Sequence, residues 1–98
     1  MEKGGSTYII SNKVNTVLYV GVTSNLKARI FEHKNKVYPN SFSARYNVDR
    51  LVYFENFDSI EEAIHREKQL KAGSRKKKEE LIDRMNKERR DLYDELED

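Results

Sequence analysis

The sequence contains no cysteine, which excludes both a disulfide framework and a cysteine-ligated metal site. It has no apolar run approaching the roughly 18 residues of a membrane-spanning helix, so we expect no membrane partner. Residues 1–5 lack the apolar middle of a signal peptide, and a cytoplasmic location is the expectation. A length of 98 residues suits a single small domain. We expect its core over about 6–93, with flexible ends at 1–5 and 94–98.

Charge is abundant but unevenly distributed along the chain. The net charge is only +2. Residues 1–78 hold 15 Lys/Arg and 8 Asp/Glu, a net of +7, whereas residues 79–98 hold 4 and 9, a net of −5. A basic body favours a polyanionic partner such as nucleic acid. A solvated charged surface with an acidic tail for solubility explains the same counts.

Two short β-prone runs lie near the N-terminus. Residues 7–11 and 17–22 are rich in Tyr, Ile, Val and Thr, and the turn between them contains two asparagines, which predicts a β-hairpin. Each run carries one tyrosine, Tyr8 or Tyr19. Gly21 shares a face with Tyr19 and either takes an unusual backbone angle or lets another group approach closely.

The hairpin leads into a helix predicted over 26–35, with N-cap candidates at 23–25. Arg29 and His33 are four residues apart and therefore lie on one face of this helix. The pattern predicts that two phenols and one guanidinium come close together, and that the rest of the chain completes this site.

Residues 36–47 are predicted to form a loop around Pro39. The loop carries no acid and mixes two cations with three aromatic rings: Lys36, Arg45, Tyr38, Phe42 and Tyr46. Basic and aromatic side chains together can hold phosphates and stack on bases. The alternative is that Phe42 and Tyr46 tuck the loop into the core.

A third strand and two further helices complete the predicted order. Strict alternation over 49–57 puts Leu51, Tyr53 and Phe57 on one face of the strand and Val52 and Phe54 on the other. A capping box at 59–62 predicts a helix that ends near Ala72, with Gly73 as the C′ residue. Ser74 is predicted to cap a further helix over 75–86, with Leu81, Ile82 and Met85 buried. The order β-β-α-β-α-α predicts an α+β fold, a small three-stranded and mainly antiparallel sheet flanked by helices.

Glu67 lies within the apolar stripe of the helix that begins at the capping box. A carboxylate in that position is costly unless a cation meets it. One interpretation is a structural ion pair with Lys71 at i+4 or with Arg29 across the core. The other is a metal ligand.

Five of the eight residues from 71 to 78 are basic: Lys71, Arg75, Lys76, Lys77 and Lys78. Cations at a helix N-terminus oppose the helix dipole. This mild cost indicates a phosphate-binding patch, although a solvated run is the alternative.

The constellation resembles the GIY-YIG nuclease superfamily, which includes the N-terminal domain of the UvrC repair nuclease and some homing endonucleases. The resemblance spans residue 7 to about 93 and looks closest to short stand-alone bacterial proteins described as UvrC-like endonucleases. Positions 6–7 are Ser-Thr where the family motif has Gly-Ile. The matching segments are 8–10, 18–23, 25–26, 41–43, 51–53, 63–71, 81–82 and 91–93, together with Arg29, His33, Arg75, Lys77 and Asn86.

The resemblance implies site roles by position. It implies that Tyr8 and Tyr19 are the two motif tyrosines, that Arg29 contacts the scissile phosphate and that Glu67 holds the metal. It further implies a site role for His33, as in some members, and for Asn86 as the late polar residue. One carboxylate ligand favours one Mg²⁺ or Mn²⁺ ion with several waters. Tyr19, Tyr8 and His33 remain alternative general bases.

Three functions are compatible with these residues. The first is a metal-dependent DNA endonuclease, with DNA repair or recombination as its implied context and a protein partner as a possible source of specificity. The second is a nucleic-acid-binding module of the same fold with little turnover. The third is an interaction domain that docks a protein through its basic face. The intact Tyr/Tyr/Arg/Glu set favours the first.

Overall fold

A three-stranded antiparallel sheet with helices around it forms the fold. The computed structural model describes residues 4–97. In chain order the elements are β1 Gly5–Ser11, β2 Leu18–Thr23, α1 Leu26–Lys34, α2 Phe42–Arg45, β3 Arg50–Phe57, α3 Ile60–Ala72, α4 Arg75–Asn86 and a 3₁₀ helix Leu92–Glu95. The α+β class and the predicted order of the long elements are confirmed, and α2 is an addition. Among the helices of residues 4–97, none is long and apolar enough to cross a membrane.

The first strand of the chain is the central strand of the sheet. The strand order is β2-β1-β3, and β1 pairs antiparallel with both neighbours. In the hairpin, Tyr8 lies opposite Gly21 and Ile10 lies opposite Tyr19. The sheet therefore places both tyrosines on the same face, as the alternation predicts.

A register shift in β3 makes one predicted set of faces wrong. Ile9 pairs with Tyr53 but Ile10 pairs with Leu51, so Val52 is the extra residue of a bulge. Tyr53 consequently packs with Val52 against Ile9, rather than sharing a face with Leu51. Alternation fails here because a bulge inserts one unpaired residue and shifts the side-chain period.

Two hydrophobic clusters lie on opposite faces of the sheet. The first comprises Tyr8, Ile10, Ile30, Val48, Leu51 and Leu92. The second comprises Ile9, Val20, Val52, Tyr53, Leu70 and Ile82, the last two from α3 and α4. On α4 the prediction is right for Ile82 but wrong for Met85, which is exposed, whereas Asn86 is buried.

Side-chain caps define where the helices begin. The side chains of Asn25, Ser59 and Ser74 accept hydrogen bonds from backbone N–H groups in the first turns of α1, α3 and α4. Ser41 caps α2 in the same way, inside the segment predicted as a loop. Gly73 ends α3 with φ of −79°, so it does not adopt the left-handed conformation that the C′ prediction implies.

The described secondary structure and packing include residues at both ends of the predicted core. Gly5 is buried in β1, and Leu96 packs against the first hydrophobic cluster beyond the 3₁₀ helix. Of the ends predicted to be flexible, residues 1–3 and 98 lie outside the described residues.

Candidate functional site

Gly21 leaves the space that the ring of Tyr8 occupies. The two residues are cross-strand partners in the hairpin. A Cβ atom built on Gly21 would lie 2.4 Å from both Cζ and the hydroxyl oxygen of Tyr8. Gly21 does not have a positive φ. Of the two interpretations of this glycine, close approach is therefore the correct one, and the phenol of Tyr8 lies across the backbone of β2.

A buried chain of hydrogen bonds begins at Tyr8. Its hydroxyl lies 2.9 Å from Nε2 of His33, and Nδ1 of His33 lies 2.8 Å from Oγ of Ser43. Ser43 is held in α2, whose N-cap Ser41 lies 3.3 Å from it, oxygen to oxygen. Three elements, β1, α1 and α2, are thus joined through one imidazole.

Burial sets the protonation states of Tyr8 and His33 in this series of hydrogen bonds. Desolvation raises the pKa of the Tyr8 phenol to about 12, against a smaller opposing effect of Arg29. Desolvation, reinforced by the positive charge of Arg29, lowers the pKa of His33 to about 4. At neutral pH both groups are uncharged. One nitrogen of a neutral imidazole donates and the other accepts, so when the Tyr8 hydroxyl donates to Nε2 of His33, Nδ1 donates to Oγ of Ser43.

Arg29 lies beside this chain and extends it towards the surface. Its Nη1 donates to Oε1 of Glu32 at 2.9 Å. Its guanidinium lies 5.5 Å from the ring centroid of the exposed Tyr38, and it also interacts with the Tyr8 hydroxyl. Arg29 therefore pairs with Glu32, three residues away, and not with Glu67, which is one of the two alternative pairings predicted for that carboxylate. The guanidinium is partly exposed and retains donors for a further anion.

Tyr19 lies on the open side of the same imidazole. Its ring makes an edge contact with His33 at 6.1 Å between centroids and stacks on Phe42 at 5.9 Å. The ammonium of Lys71 lies 5.8 Å from its ring centroid. Within residues 4–97 the hydroxyl of Tyr19 has no hydrogen-bond partner, whereas that of Tyr8 is fully engaged.

Glu67 connects to Tyr19 through Lys71. The carboxylate of Glu67 lies 3.2 Å from Nζ of Lys71, one helical turn further along α3. Its side chain is only 15% exposed, whereas that of Lys71 is 50% exposed. The i+4 ion pair that the sequence offers as a structural alternative is therefore present. A carboxylate whose partner is a half-exposed lysine can exchange that partner for a different cation.

The donor set fits a metal ion that takes few protein ligands. Within the described part of the chain, no three His, Asp or Glu side chains form a group able to hold a metal ion by themselves. Mg²⁺ commonly binds through one or two carboxylates and completes its shell with water and substrate phosphates. The single carboxylate of Glu67, 15% exposed and paired with the half-exposed Lys71, matches that requirement.

Comparison with known proteins decides the family. The model of the GIY-YIG catalytic domain matches residues 4–80 of this chain. The chain belongs to the GIY-YIG family. Because that model describes a catalytic domain, membership suggests nuclease activity, and the resemblance read from the sequence is confirmed.

Relatives of the GIY-YIG chain are short proteins of similar length. A UPF0213 protein of Natronomonas pharaonis is 39% identical over 75 residues, covering 76% of this chain and 86% of the relative. A UPF0213 protein of Bacillus pumilus is 32% identical over 89 residues, covering 91% and 90%. The solution NMR structure of a UPF0213 protein from Bacillus halodurans has a TM-score of 0.50 and 32% identity, over 81% of this chain and 82% of that one.

The side chain of Asn86 is hydrogen-bonded to backbone groups within this GIY-YIG domain. Its amide nitrogen donates to the carbonyl oxygens of Val52 at 3.2 Å and Arg90 at 2.6 Å, and its Oδ1 accepts from the backbone N–H of Arg90. These bonds fix α4 on β3 and the chain that follows α4. The four predicted site residues that contact one another are Tyr8, Tyr19, Arg29 and His33, with Glu67 joined to them through Lys71. A catalytic role for Asn86 stays a prediction.

The basic residues predicted to bind nucleic acid fall into two sets. Arg75 donates to the carbonyl oxygens of Thr16 at 2.8 Å and Asn15 at 2.9 Å, and Lys78 donates to that of Gly73 at 2.8 Å. These two cations therefore support the fold. The other members, Lys36, Arg45, Lys71, Lys76 and Lys77, are exposed, as Arg75 also is, and Lys36 donates to Oδ1 of Asn47.

Two partners in this GIY-YIG site have no assigned role in the sequence pattern. Ser43 falls inside a matching segment, yet its bond to His33 joins positions ten residues apart across an irregular connection. Glu32 is three residues from Arg29, a spacing that could have revealed the pair. Of the predicted alternatives for the loop, tucking into the core is wrong for Phe42 and Tyr46, which are 46% and 50% exposed.

Proposed function

We propose that this chain is a metal-dependent DNA endonuclease that hydrolyses phosphodiester bonds. The observation that carries the proposal is the convergence of Tyr8, Tyr19 and Arg29 around the imidazole of His33, in a chain that matches a catalytic-domain model over residues 4–80. Exposed cations, among them Lys71 over the ring of Tyr19, supply the attraction for a polyanion.

Arg29 is proposed to bind the scissile phosphate. A guanidinium offers donors in a planar fork that matches two phosphate oxygens. Glu32 holds one of its nitrogens at 2.9 Å, which orients the fork without consuming it. This arrangement neutralises charge on the phosphoryl group as the new bond forms.

Tyr19 is proposed to accept the proton of the attacking water. The three alternatives differ in their environment: Tyr8 holds its proton tightly, with a pKa of about 12, and its hydroxyl is hydrogen-bonded to His33. His33 has both ring nitrogens in hydrogen bonds and a pKa of about 4, which makes it a weak base. Tyr19 has a hydroxyl without a hydrogen-bond partner among residues 4–97, and it is therefore the best-supported candidate, with Tyr8 and His33 fixing its surroundings.

Glu67 is proposed to hold the divalent cation, Mg²⁺ or Mn²⁺. When bound, such an ion stabilises negative charge on the phosphoryl and leaving oxygens. With the ion bound, the ammonium of Lys71 leaves the carboxylate of Glu67 and contacts a phosphate or solvent instead. Because the ammonium is half-exposed, this exchange costs little in the fold.

The test is cleavage of labelled DNA by purified protein with Mg²⁺ or Mn²⁺, using duplex, flapped, branched and single-stranded substrates. We expect Glu67→Gln and Arg29→Ala each to reduce the rate by at least about 100-fold, as removal of a transition-state charge contact does. Glu61→Gln, on the exposed side of the same helix, is the matched control and should cleave like the wild type.

The outcomes separate the three functions. Equal cleavage by the wild type and both site variants would mean a contaminating nuclease. Salt-dependent DNA binding without cleavage by any variant would favour the binding module instead. Absence of salt-dependent DNA affinity would favour a protein-docking domain.

A further inference from the structure

Three aromatic rings form a continuous series at the edge of the site. Tyr19 stacks on Phe42 with 25° between ring planes, and Phe42 lies 4.7 Å from Tyr46 between centroids. Phe42 and Tyr46 are about half exposed although they touch each other. We call these three residues the aromatic series. Tyr19 is its partly buried end and packs against the first hydrophobic cluster, whereas Phe42 and Tyr46 present ring surface to solvent.

Cations border the aromatic series, and its own segment contains no acid. Residues 36–47 include Lys36 and Arg45 but no Asp or Glu. Lys71 lies over the ring of Tyr19 on the other side. A protein-docking patch of apolar residues does not require such a border, whereas a nucleotide presents both a flat ring and a negative charge. The charge complementarity therefore favours a nucleic acid strand.

We infer that the aromatic series is a stacking platform for an unpaired base of the DNA substrate, next to the phosphate held by Arg29. This inference rests on the proposed function and names its substrate class. In a duplex both faces of every base are covered by neighbouring base pairs, so an aromatic side chain can stack only on a base that is single-stranded or extruded. The preferred substrate is then a single strand, a flap or a locally opened duplex.

The position of α2 explains how the platform is coupled to the Tyr8–His33 pair. Phe42 and Ser43 are adjacent in α2, and Ser43 is hydrogen-bonded to His33. A base stacked on Phe42 is therefore held at a fixed distance from the Tyr8–His33 pair. Such a link places the nucleotide by its base and its phosphate at once, which orients the phosphodiester for in-line attack.

The experiment measures binding separately from cleavage. An oligothymidylate with one 2-aminopurine, moved one position at a time through a series, is titrated with protein in a chelator. We expect the wild type to quench the emission strongly at one or two label positions. Phe42→Leu keeps the apolar volume but removes the π face, and we expect it to abolish this quenching and to weaken binding about tenfold.

Controls address folding and location. Tyr46→Leu tests the same platform at a residue that has no contact with the His33 chain among its described interactions, and a smaller loss in the same direction is expected. Phe31→Leu changes an equally exposed phenylalanine that lines a different groove, with Phe54 and Tyr93, and should bind and quench like the wild type. Melting temperatures of all variants identify any that fold poorly.

Failure of the platform and failure of the nuclease proposal give different results. Wild-type cleavage that Phe42→Leu and Tyr46→Leu both retain, with no quenching at any label position, would overturn the platform and leave the nuclease standing. Position-dependent quenching that both variants lose, without metal-dependent cleavage, would support the platform and overturn the nuclease. A preference of the wild type for intact duplex over single strands would also overturn the platform.

Discussion

Tyr8 and Tyr19 both contact the imidazole of His33, yet the surroundings of the two tyrosines are opposite in character. We call Tyr8 and its partners His33 and Ser43 the closed wall. These side chains are almost fully buried, and their polar side-chain atoms are hydrogen-bonded. The residues around Tyr19 form the open wall: Phe42 and Lys71 are about half exposed, and Lys71 is ion-paired with Glu67, which is 15% exposed.

The difference shows how a thin domain builds a site without a large cavity. Buried hydrogen bonds in low dielectric hold groups rigidly, because an unpaired partner is costly there. Exposed aromatic and charged groups exchange partners readily, because water replaces what they lose. The closed wall is suited to fixing geometry and the open wall to meeting a ligand. This division predicts which substitutions damage stability and which damage activity.

The largest effect is expected from Gly21→Ala. A methyl group at this position overlaps the Tyr8 phenol at 2.4 Å and forces it out of the closed wall. We expect unfolding free energy to fall by about 1–3 kcal/mol, as for an overpacked core. Nuclease activity should fall by about 100-fold, as for a displaced catalytic geometry. Denaturant unfolding and a cleavage assay measure the two effects.

Gly73→Ala is the matched control for that prediction. A Cβ at Gly73 meets nothing closer than 3.5 Å, and its φ of −79° suits alanine. Stability should be unchanged or higher by about 0.4–1 kcal/mol, because the unfolded chain loses freedom. If both glycine variants behaved alike, the close approach of Tyr8 to Gly21 would not be what requires a glycine.

Removing one hydroxyl from each wall sharpens the comparison. Tyr8→Phe leaves Nε2 of His33 buried without a partner, and we expect a loss of about 1–3 kcal/mol in unfolding free energy. Tyr19→Phe keeps its ring contacts and should change stability by less than about 0.5 kcal/mol. Its cleavage rate should nevertheless collapse, because the proposed base is gone. A stable Tyr8→Phe beside an active Tyr19→Phe would refute the division of roles.

His33 is expected to make stability depend on pH. The pKa of His33 is lowered to about 4 in the folded protein, so between about pH 6.5 and 4 the unfolded chain binds more protons. Unfolding free energy should therefore fall as pH drops through this window, with a slope of up to about 1.4 kcal/mol per pH unit, and this contribution should be flat above it.

Histidine variants identify the source of that slope. His33→Gln should reduce it, whereas His65→Gln, which removes an exposed imidazole from α3, should leave it as in the wild type. Chemical denaturation at several pH values provides the measurement. An unchanged slope in His33→Gln would show that carboxylates alone cause the loss of stability in acid.

Local chemistry made much of the fold predictable. The hairpin, the three long helices and the capping roles of Ser59 and Ser74 follow from residue types within a few positions of each other. The bulge at Val52 and the burial of Asn86 do not, because both depend on pairing with distant backbone. The four-residue helix α2 is too short to produce a periodic signal.

The site was predictable to the same extent and for the same reason. The sequence identifies Tyr8, Tyr19, Arg29 and His33 by position, and the structure brings them together. Whether Glu67 faces Lys71 or Arg29 was open, because both cations satisfy the rule that a withdrawn carboxylate needs a counter-charge. Only the packing of α3 on β2 decides between them.

The central position of β1 has a consequence for how the domain folds. β1 and β2 are neighbours in sequence and can pair early, but the other edge of β1 stays open until β3 has been made. We expect the α3 helix to attach later still, because the bond from Oγ1 of Thr7 to the carbonyl of Ala63 joins residues 56 positions apart. Such non-local contacts slow folding and expose an unpaired strand edge in the meantime. We therefore expect the two tyrosines to be aligned before the carboxylate of Glu67 joins them.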